Sequence, residues 1–539
     1  MSQAASGLGA GIAPIGPVLS ESQRKSIFIA SFLTLIAAGI GFGIRGGILG
    51  DWGAQFGFTK SDLGVIAGAG LAGFGITIIF FSFFADTVGY KALLILAFLL
   101  LAISAVVTLA ATPVFHASGK GAAYTTLYIG TFIFSLAMGL CEAAINPLTA
   151  TLYPKQKTKY LNILHAGWPL GLMIGGLVNY FLVGHMRWEI LASLYLIPTL
   201  AFGFLTVKNP FPISEAKAAG VSLGGMIGAL FAPMLIFLFL IHAMIGYVEL
   251  GTDSWIQNIL NNTMAKNASL LFAYTSILMV VLRLFAGPIL HKLNPLGLLC
   301  IAACCGTVGL YLLGSDSVGI TIWIAATIFA FGKSFYWGTM LGLIGERFPR
   351  GGALAMGISG GIGMLSAGFL GGPGIGYTYD AQASKQLNNV APDTYARVES
   401  TDEKHFLFMK PIHGLDGSKL DVIQSGPAQL IADLKTKPDD KTLQGLSAWY
   451  ETIEKPNLEK DKPIVTEANI FGGRQALKIT AAIPLTMAAC YLILVLYFIA
   501  RGGYKTVHLD SSGRTMEVSH SAEEEQAIEA RAGAGSDEA

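Results

Sequence analysis

ADTVGYKALL, residues 85–94, and AGPILHKLNPLGLL, residues 286–299, carry the pattern that decides the fold. Each ends one long apolar run, sets a Gly or Pro beside a basic residue, and opens directly into the next apolar run. A helix needs about 20 apolar residues to cross a bilayer. Runs of that order begin near Ile27, Val65, Ala92, Tyr124, Leu161 and Glu189, and again near Met226, Ser269, Leu296, Val318, Gly352 and Ala476. The two quoted turns therefore follow the second and the eighth run. A second pair keeps the same offset: LYPK at 152–155 follows the fourth run and RFPR at 347–350 the tenth. Two correspondences six runs apart indicate a duplicated unit. The expected fold is an all-α membrane protein with twelve transmembrane helices in two six-helix halves.

Composition agrees. Of 539 residues, 53% are hydrophobic and 13% charged, against about 25% charged in an average soluble domain. The mean hydropathy is +0.59. The 66 glycines suit closely packed membrane helices. A net charge of +1 argues against nucleic acid as a partner. Cys141, Cys300, Cys304, Cys305 and Cys490 all lie in apolar runs and read as packing residues, not as disulfides or metal ligands. The expected partner is the lipid bilayer, with a monomer as the working unit and no metal or cofactor.

The expected divisions are a tail to residue 25, the first half over 26–207, a polar linker over 208–225, spans seven to eleven over 226–377, an insertion over 378–470, span twelve over 471–500, and a tail over 501–539. Lys91, Lys155, Lys157, Lys159, Lys208, Lys217, Lys292, Arg347 and Arg350 all fall on the loops of the side that carries both termini. By the positive-inside rule that side is the cytoplasm, and the location is a cell (inner) membrane. The insertion holds 15 Asp or Glu and 11 Lys or Arg in 93 residues, so it belongs in water on the opposite side. Aromatic and aliphatic residues spaced among charges at 393–408 and 439–455 suggest a mainly helical extracytoplasmic cap; a solvated loop is the alternative.

ADTVGYK resembles the loop motif of the major facilitator superfamily, with Asp86, Gly89 and Lys91 in the expected places and Tyr90 where Arg is usual. GLCEAAINPLTATLYP, residues 139–154, with YLNILHAGWPLG, residues 160–171, is similar to the fucose permease-like sugar:proton symporters of that superfamily. The resemblance implies alternating access about a central site, with Glu142 as the protonation site and an amide side chain where His165 stands.

A charged group at mid-membrane costs about 3 kcal/mol or more, which makes each one a functional candidate. Glu142 has Asn146 one turn further on the same helix face; it carries a proton or is a structural carboxylate pinned by an Arg. Arg45, in the first span, anchors a ligand or pins a helix. Glu249, in the seventh, occupies nearly the equivalent position and is expected to pair with Arg45 across the cavity. Asp253 is expected to be solvated. Lys333 is flanked by Tyr336 and Trp337 and either meets a polyhydroxyl or anionic ligand or pairs with a carboxylate. Asn162, His165 and Trp168 open the fifth span and complete the binding set. Arg283, near the inner end of span eight, is expected to hold the closed gate by pairing with a loop acid. Trp52 and Trp188 read as interfacial anchors.

The leading function is movement of a sugar or polyol with a proton. An organic-anion carrier is the near rival and a non-transporting nutrient receptor the rival of another class. The Gly-rich run at 357–376 lacks the preceding strand and Lys of a phosphate loop, and no paired metal-ligand motif or nucleophile elbow supports an enzyme.

Overall fold

In a bilayer each backbone N–H and C=O must be satisfied within its own segment, so long apolar runs become helices. The computed structural model describes residues 19–519 apart from 57, 59, 265–267, 316–318, 437, 511 and 512; the first 18 residues and those beyond 519 lie outside it. The first group of spans is α1 (Glu21–Phe56), α2 (Lys60–Val88), α3 (Tyr90–Leu109), α4 (Ala111–Leu152), a fifth split into α5 (Lys157–His165) and α6 (Gly167–Leu182), and a sixth split into α7 (Trp188–Ser193) and α8 (Leu196–Lys208). Two short helices, α9 (Glu215–Ala218) and α10 (Leu223–Leu230), form the linker.

In the second group α11 (Pro233–Gly246) passes through a π turn, Tyr247–Gly251, into α12 (Thr252–Met264). The eighth span is α13 (Ala268–Leu284) and α14 (Ala286–Lys292), bent by 60° between them. Next come α15 (Pro295–Leu313), α16 (Ile320–Ser334) with α17 (Tyr336–Arg347), and α18 (Gly352–Ser366), which continues through a second π turn into α19 (Gly372–Val390). Among the described residues ten helices are long and apolar enough to cross a membrane, or eleven with the bent pair counted as one; Gly73–Val88 of α2 is a shorter apolar helix. The seventh span begins at Pro233 rather than near Met226, because α10 ends at Leu230 and Pro233 starts a new helix.

The insertion contains α20 (Pro392–Val398), a hairpin of β1 (Glu399–Lys404) and β2 (Ile412–Leu415), α21 (Gly417–Ser425), α22 (Ala428–Thr436) and α23 (Lys441–Trp449). It has its own small core, including Leu387, Val398, Leu415, Ile423 and Val465. The expected borders at 378 and 471 both fall inside helices, α19 and α24 (Leu458–Thr480). These two run on together beyond the apolar spans: Gly472 lets its helix lie against Tyr379 and Ala383, and Tyr379 donates to Asn469 Oδ1 at 3.0 Å. After α25 (Ala482–Ala500) the chain returns as a hairpin of β3 (Lys505–Leu509) and β4 (Thr515–Ser519), where only a tail was expected.

Small residues set which helices touch. Gly39 and Gly43 on α1 face Gly171 and Gly175 on α6; a Cβ at Gly39 or Gly171 would strike the opposing backbone, and one at Gly43 or Gly175 would press tightly on it. In the second half Gly246 abuts Gly363, and Gly251 abuts Gly371. First span against fifth thus repeats as seventh against eleventh, the close-packed contact that small residues permit. Between the halves, α5 lies along α17 and α2 along α18. Gly338 and Gly342 admit the backbone of Asn162 and Thr158, and Gly357 and Gly361 admit Ser82 and Ile79. These contacts lie from mid-protein to the face that carries both described ends, here called the terminal face.

Candidate functional site

The kink residue Pro147 does not break α4, so Glu142 and Asn146 remain one turn apart. Asn146 Nδ2 donates to Glu142 Oε2 at 2.6 Å. Its Oδ1 lies 2.9 Å from His165 Nε2. With the amide N–H spent on Glu142, the amide oxygen is left for His165, so the network assigns the imidazole proton to Nε2. All three side chains are buried.

His165 also joins the two halves. Its backbone oxygen accepts from Arg283 Nη1 at 2.9 Å. The same guanidinium donates from Nε to Ser334 O at 2.7 Å and from Nη2 to Glu249 Oε1 at 2.7 Å. Two expectations are corrected here. Glu249 pairs with Arg283, not Arg45, and Arg283 lies deep in the protein with a 2% exposed side chain, not at a loop acid. The π turn explains the first. Glu249 sits inside this turn, which adds one residue and shifts the helical register of the seventh span against the first, so rank-for-rank symmetry misjudges where Glu249 points.

Lys333 Nζ meets Asp253 Oδ1 at 2.6 Å, with the Lys side chain 2% exposed. Asp253 is therefore an ion-pair partner rather than a solvated acid. Tyr336 points away from the center: it is fully buried and its hydroxyl donates to Ala302 O on α15 at 3.2 Å. The break between α16 and α17 falls at Phe335 and turns Tyr336 from the face expected of a continuous helix. Trp337 packs edge-on against His242, centroids 4.8 Å apart, and His242 Nδ1 lies 2.5 Å from Ser359 Oγ. Trp168 is half-buried against Phe42. Asn162 donates to Thr339 Oγ1 at 3.0 Å, which makes it part of the α5–α17 seam.

Arg45 differs from Arg283 and Lys333. Its guanidinium lies over the Phe134 ring at 4.3 Å. No carboxylate pairs with it among the described residues, and its Nη1 is buried without a hydrogen-bond partner. Eight residues, roughly 12 Å of helix, separate Phe134 from Glu142 on α4. Trp52 and Trp188 are buried against each other at 5.7 Å and are not lipid-facing anchors.

On the terminal face Gly89 has φ 92°, a conformation cheap only for glycine, and starts α3. Lys91 caps α8 by donating to Val207 O and Asn209 O, both at 2.9 Å. Asp86 reaches across the halves to accept from Ala353 N at 3.2 Å. Sequence reasoning missed Thr158 and Glu346, joined at 2.5 Å, and Lys157 with Glu215 at 2.9 Å. The run of lysines at 155–159 hinted at an acidic counterpart, but nothing local indicated which. Among the described residues no cluster of three or more His, Cys, Asp or Glu could hold a metal ion.

The major facilitator superfamily model matches residues 27–372, well over half of the chain. Similar solved structures include the proton:xylose symporter XylE, with TM-score 0.56, 16% identity, 69% of this chain and 91% of that one covered. The E. coli fucose:proton symporter FucP gives 0.51, 18%, 66% and 93%. The human organic anion transporter MFSD10 gives 0.53, 12%, 67% and 94%. At these identities they show a shared fold. A curated relative, the cis,cis-muconate transport protein of Acinetobacter baylyi, is 26% identical over 192 residues, which are 34% of this chain and 44% of that protein. The match thus spans less than half of that relative's length. On this match the chain belongs to the major facilitator superfamily as a multi-pass membrane transporter.

Proposed function

We propose that this transporter carries a small organic anion together with a proton, by alternating access between its two halves. The observation that carries this reading is Arg45. Arg283 and Lys333 each have a carboxylate, whereas the Arg45 guanidinium has a buried donor with no partner among the described residues. A planar donor fork of this kind fits a carboxylate, which it can bind through two parallel hydrogen bonds. Phe134 beneath it supplies a cation–π surface that holds the group when the anion is absent. The relative named for cis,cis-muconate transport supports an anionic cargo.

Glu142 is the proton carrier in this reading. It has no basic partner among its hydrogen bonds, and Asn146 and His165 continue the polar line toward the second half. The distribution of Lys and Arg supports cytoplasmic termini and a cell-membrane location in this reading. A sugar or polyol is the second reading, favored by the Glu142–Asn146–His165 group beside the half-buried Trp168, a combination that suits hydroxyls.

Uptake into proteoliposomes, with and without an imposed pH gradient, decides between them. Sugar acids and dicarboxylates should accumulate when the lumen is alkaline, and Arg45→Gln should abolish this while the protein stays folded. Accumulation of neutral sugars that survives Arg45→Gln would overturn the anion reading and leave the sugar one.

A further inference from the structure

The segment after the last span returns to the terminal face and fastens there. Gly502 and Gly503, with φ 86° and 100°, make the reversal. β3 then pairs with β4 from Lys505 opposite Ser519 to Leu509 opposite Thr515. The hairpin is not a loose appendage, since Tyr504, Thr506, Val507, His508 and Leu509 are all buried.

Its attachment points are two carboxylates that also hold the halves together. Glu346, at the end of α17, accepts from Tyr504 Oη on Oε2 at 2.8 Å. Its Oε1 accepts from Thr158 of the first half, from Oγ1 at 2.5 Å and from the backbone N–H at 3.3 Å. Glu215, in the linker, repeats the arrangement. Oε1 accepts from Leu509 N at 3.1 Å, with His508 Nδ1 at 3.8 Å, while Oε2 takes Lys157 of the first half at 2.9 Å. Lys157 in turn donates to Gly345 O of the second half at 3.0 Å. Arg347 fixes the hairpin itself, donating to Lys505 O at 2.6 Å and pairing with Glu517 at 3.2 Å.

Each carboxylate therefore gives one oxygen to the tail and the other to the first half. A carboxylate held from one side is oriented for the other, and hydrogen bonds in such a chain strengthen one another. Burial works against the charged form of Glu215, but Lys157, His508 and the Leu509 N–H hold its carboxyl well below the usual range. Glu215 is thus ionized at physiological pH. The bonds from Thr158 and Lys157 to the second half are those that must break for the terminal face to open.

We propose that the hairpin Lys505–Ser519 is an autoinhibitory clamp that holds the terminal face closed and slows its opening in each cycle. The inference does not depend on which substrate is carried.

The test is conformational, and so stands apart from any uptake assay. In a protein whose five cysteines are replaced, Thr151→Cys, at a half-buried position in a cavity that Tyr90, Lys157, Glu215 and Met356 also line, is labeled by an impermeant maleimide supplied from the terminal face. Tyr504→Phe removes one hydroxyl and keeps the ring. Its labeling should be about fivefold faster, as the loss of one such hydrogen bond implies, and a chain ending at Gly503 should label faster still. Met516→Ala, at an exposed hairpin position, should leave the rate unchanged. Equal or slower labeling in Tyr504→Phe, at an unchanged melting temperature, overturns the clamp. If the shortened chain does not fold, Tyr504→Phe decides alone.

Discussion

Arg283, on the eighth span, donates to the backbone oxygen of His165, on the fifth, across 2.9 Å and across the boundary between the two halves. The bond is buried, and its donor is anchored on its own side by Glu249 and Ser334. It links His165, which is hydrogen-bonded to Asn146, to Glu249, the only carboxylate that Arg283 pairs with among the described residues. Any rocking of one half against the other must stretch or replace it.

Removing Arg283 should therefore be costly. Breaking one partner of a buried pair typically costs about 3–5 kcal/mol, because the other charge is left uncompensated. Arg283→Ala should lower the melting temperature in detergent sharply, and Glu249→Gln added to it should recover part of the loss. A double-mutant cycle should give a coupling of at least about 1 kcal/mol for Arg283 with Glu249 and none for Arg45 with Glu249. Strong coupling of Arg45 to Glu249 would sink the pairing described here.

Glu142→Gln should uncouple transport from the proton. A permanently neutral side chain at this position mimics the protonated state, so substrate exchange across equilibrated vesicles should continue while pH-driven accumulation disappears. Counterflow and gradient-driven uptake measured on the same vesicles separate the two. Full accumulation in the variant removes Glu142 from the proton role.

The closed terminal face depends on glycines at the α5–α17 and α2–α18 seams. A side chain at Gly342 would meet both the side chain and the Cα of Thr158, and backbone cannot step aside. Gly342→Val should hold the two halves apart on that face and raise cysteine labeling from it, with substrate exchange reduced at least about tenfold. A variant that labels like the parent protein would mean that the seam closes differently.

The insertion carries its own pH dependence. Glu454 is fully buried with both carboxyl oxygens lacking a partner among the described residues. Burial and the neighboring Asp461 push its carboxyl up to about 7, although Arg397 pulls the other way. Arg397 is already committed to Asp461, at 2.6 Å. A raised carboxyl pKa means that the folded form binds the proton more tightly than the unfolded one. Stability of the insertion should thus be greatest at acid pH and fall as pH rises from about 4.5 to 7, by at least about 1 kcal/mol. Glu454→Gln should flatten that slope. Hydrogen exchange of α20–α24 at pH 5 and pH 8 measures it, and an insertion tighter at pH 8 refutes the sign.

Much of the architecture was legible because it is local. The bilayer turns an apolar run into a helix whatever else it meets, so the runs, their duplication and the ADTVGYK turn could be read in order along the chain. Glu142 and Asn146 were legible for the same reason, since i and i+4 on an unbroken helix meet by geometry alone. Trp168 and His165 could be placed on the fifth span, but not the break at Ala166 that separates α5 from α6.

The sequence by itself determined the two-half plan, the candidate ionizable residues and the insertion's polar character, because each depends on composition and spacing within one segment. Only the tertiary structure decided the partners. Glu249 went to Arg283 and Asp253 to Lys333, leaving Arg45 without a carboxylate among the described residues, since these choices turn on helix rotation, and a single π turn changes it by about 100°. The hairpin at Lys505–Ser519 likewise became a clamp only where Glu346 and Glu215 met Thr158 and Lys157. Those contacts join residues more than fifty positions apart, and no pattern along the chain encodes them.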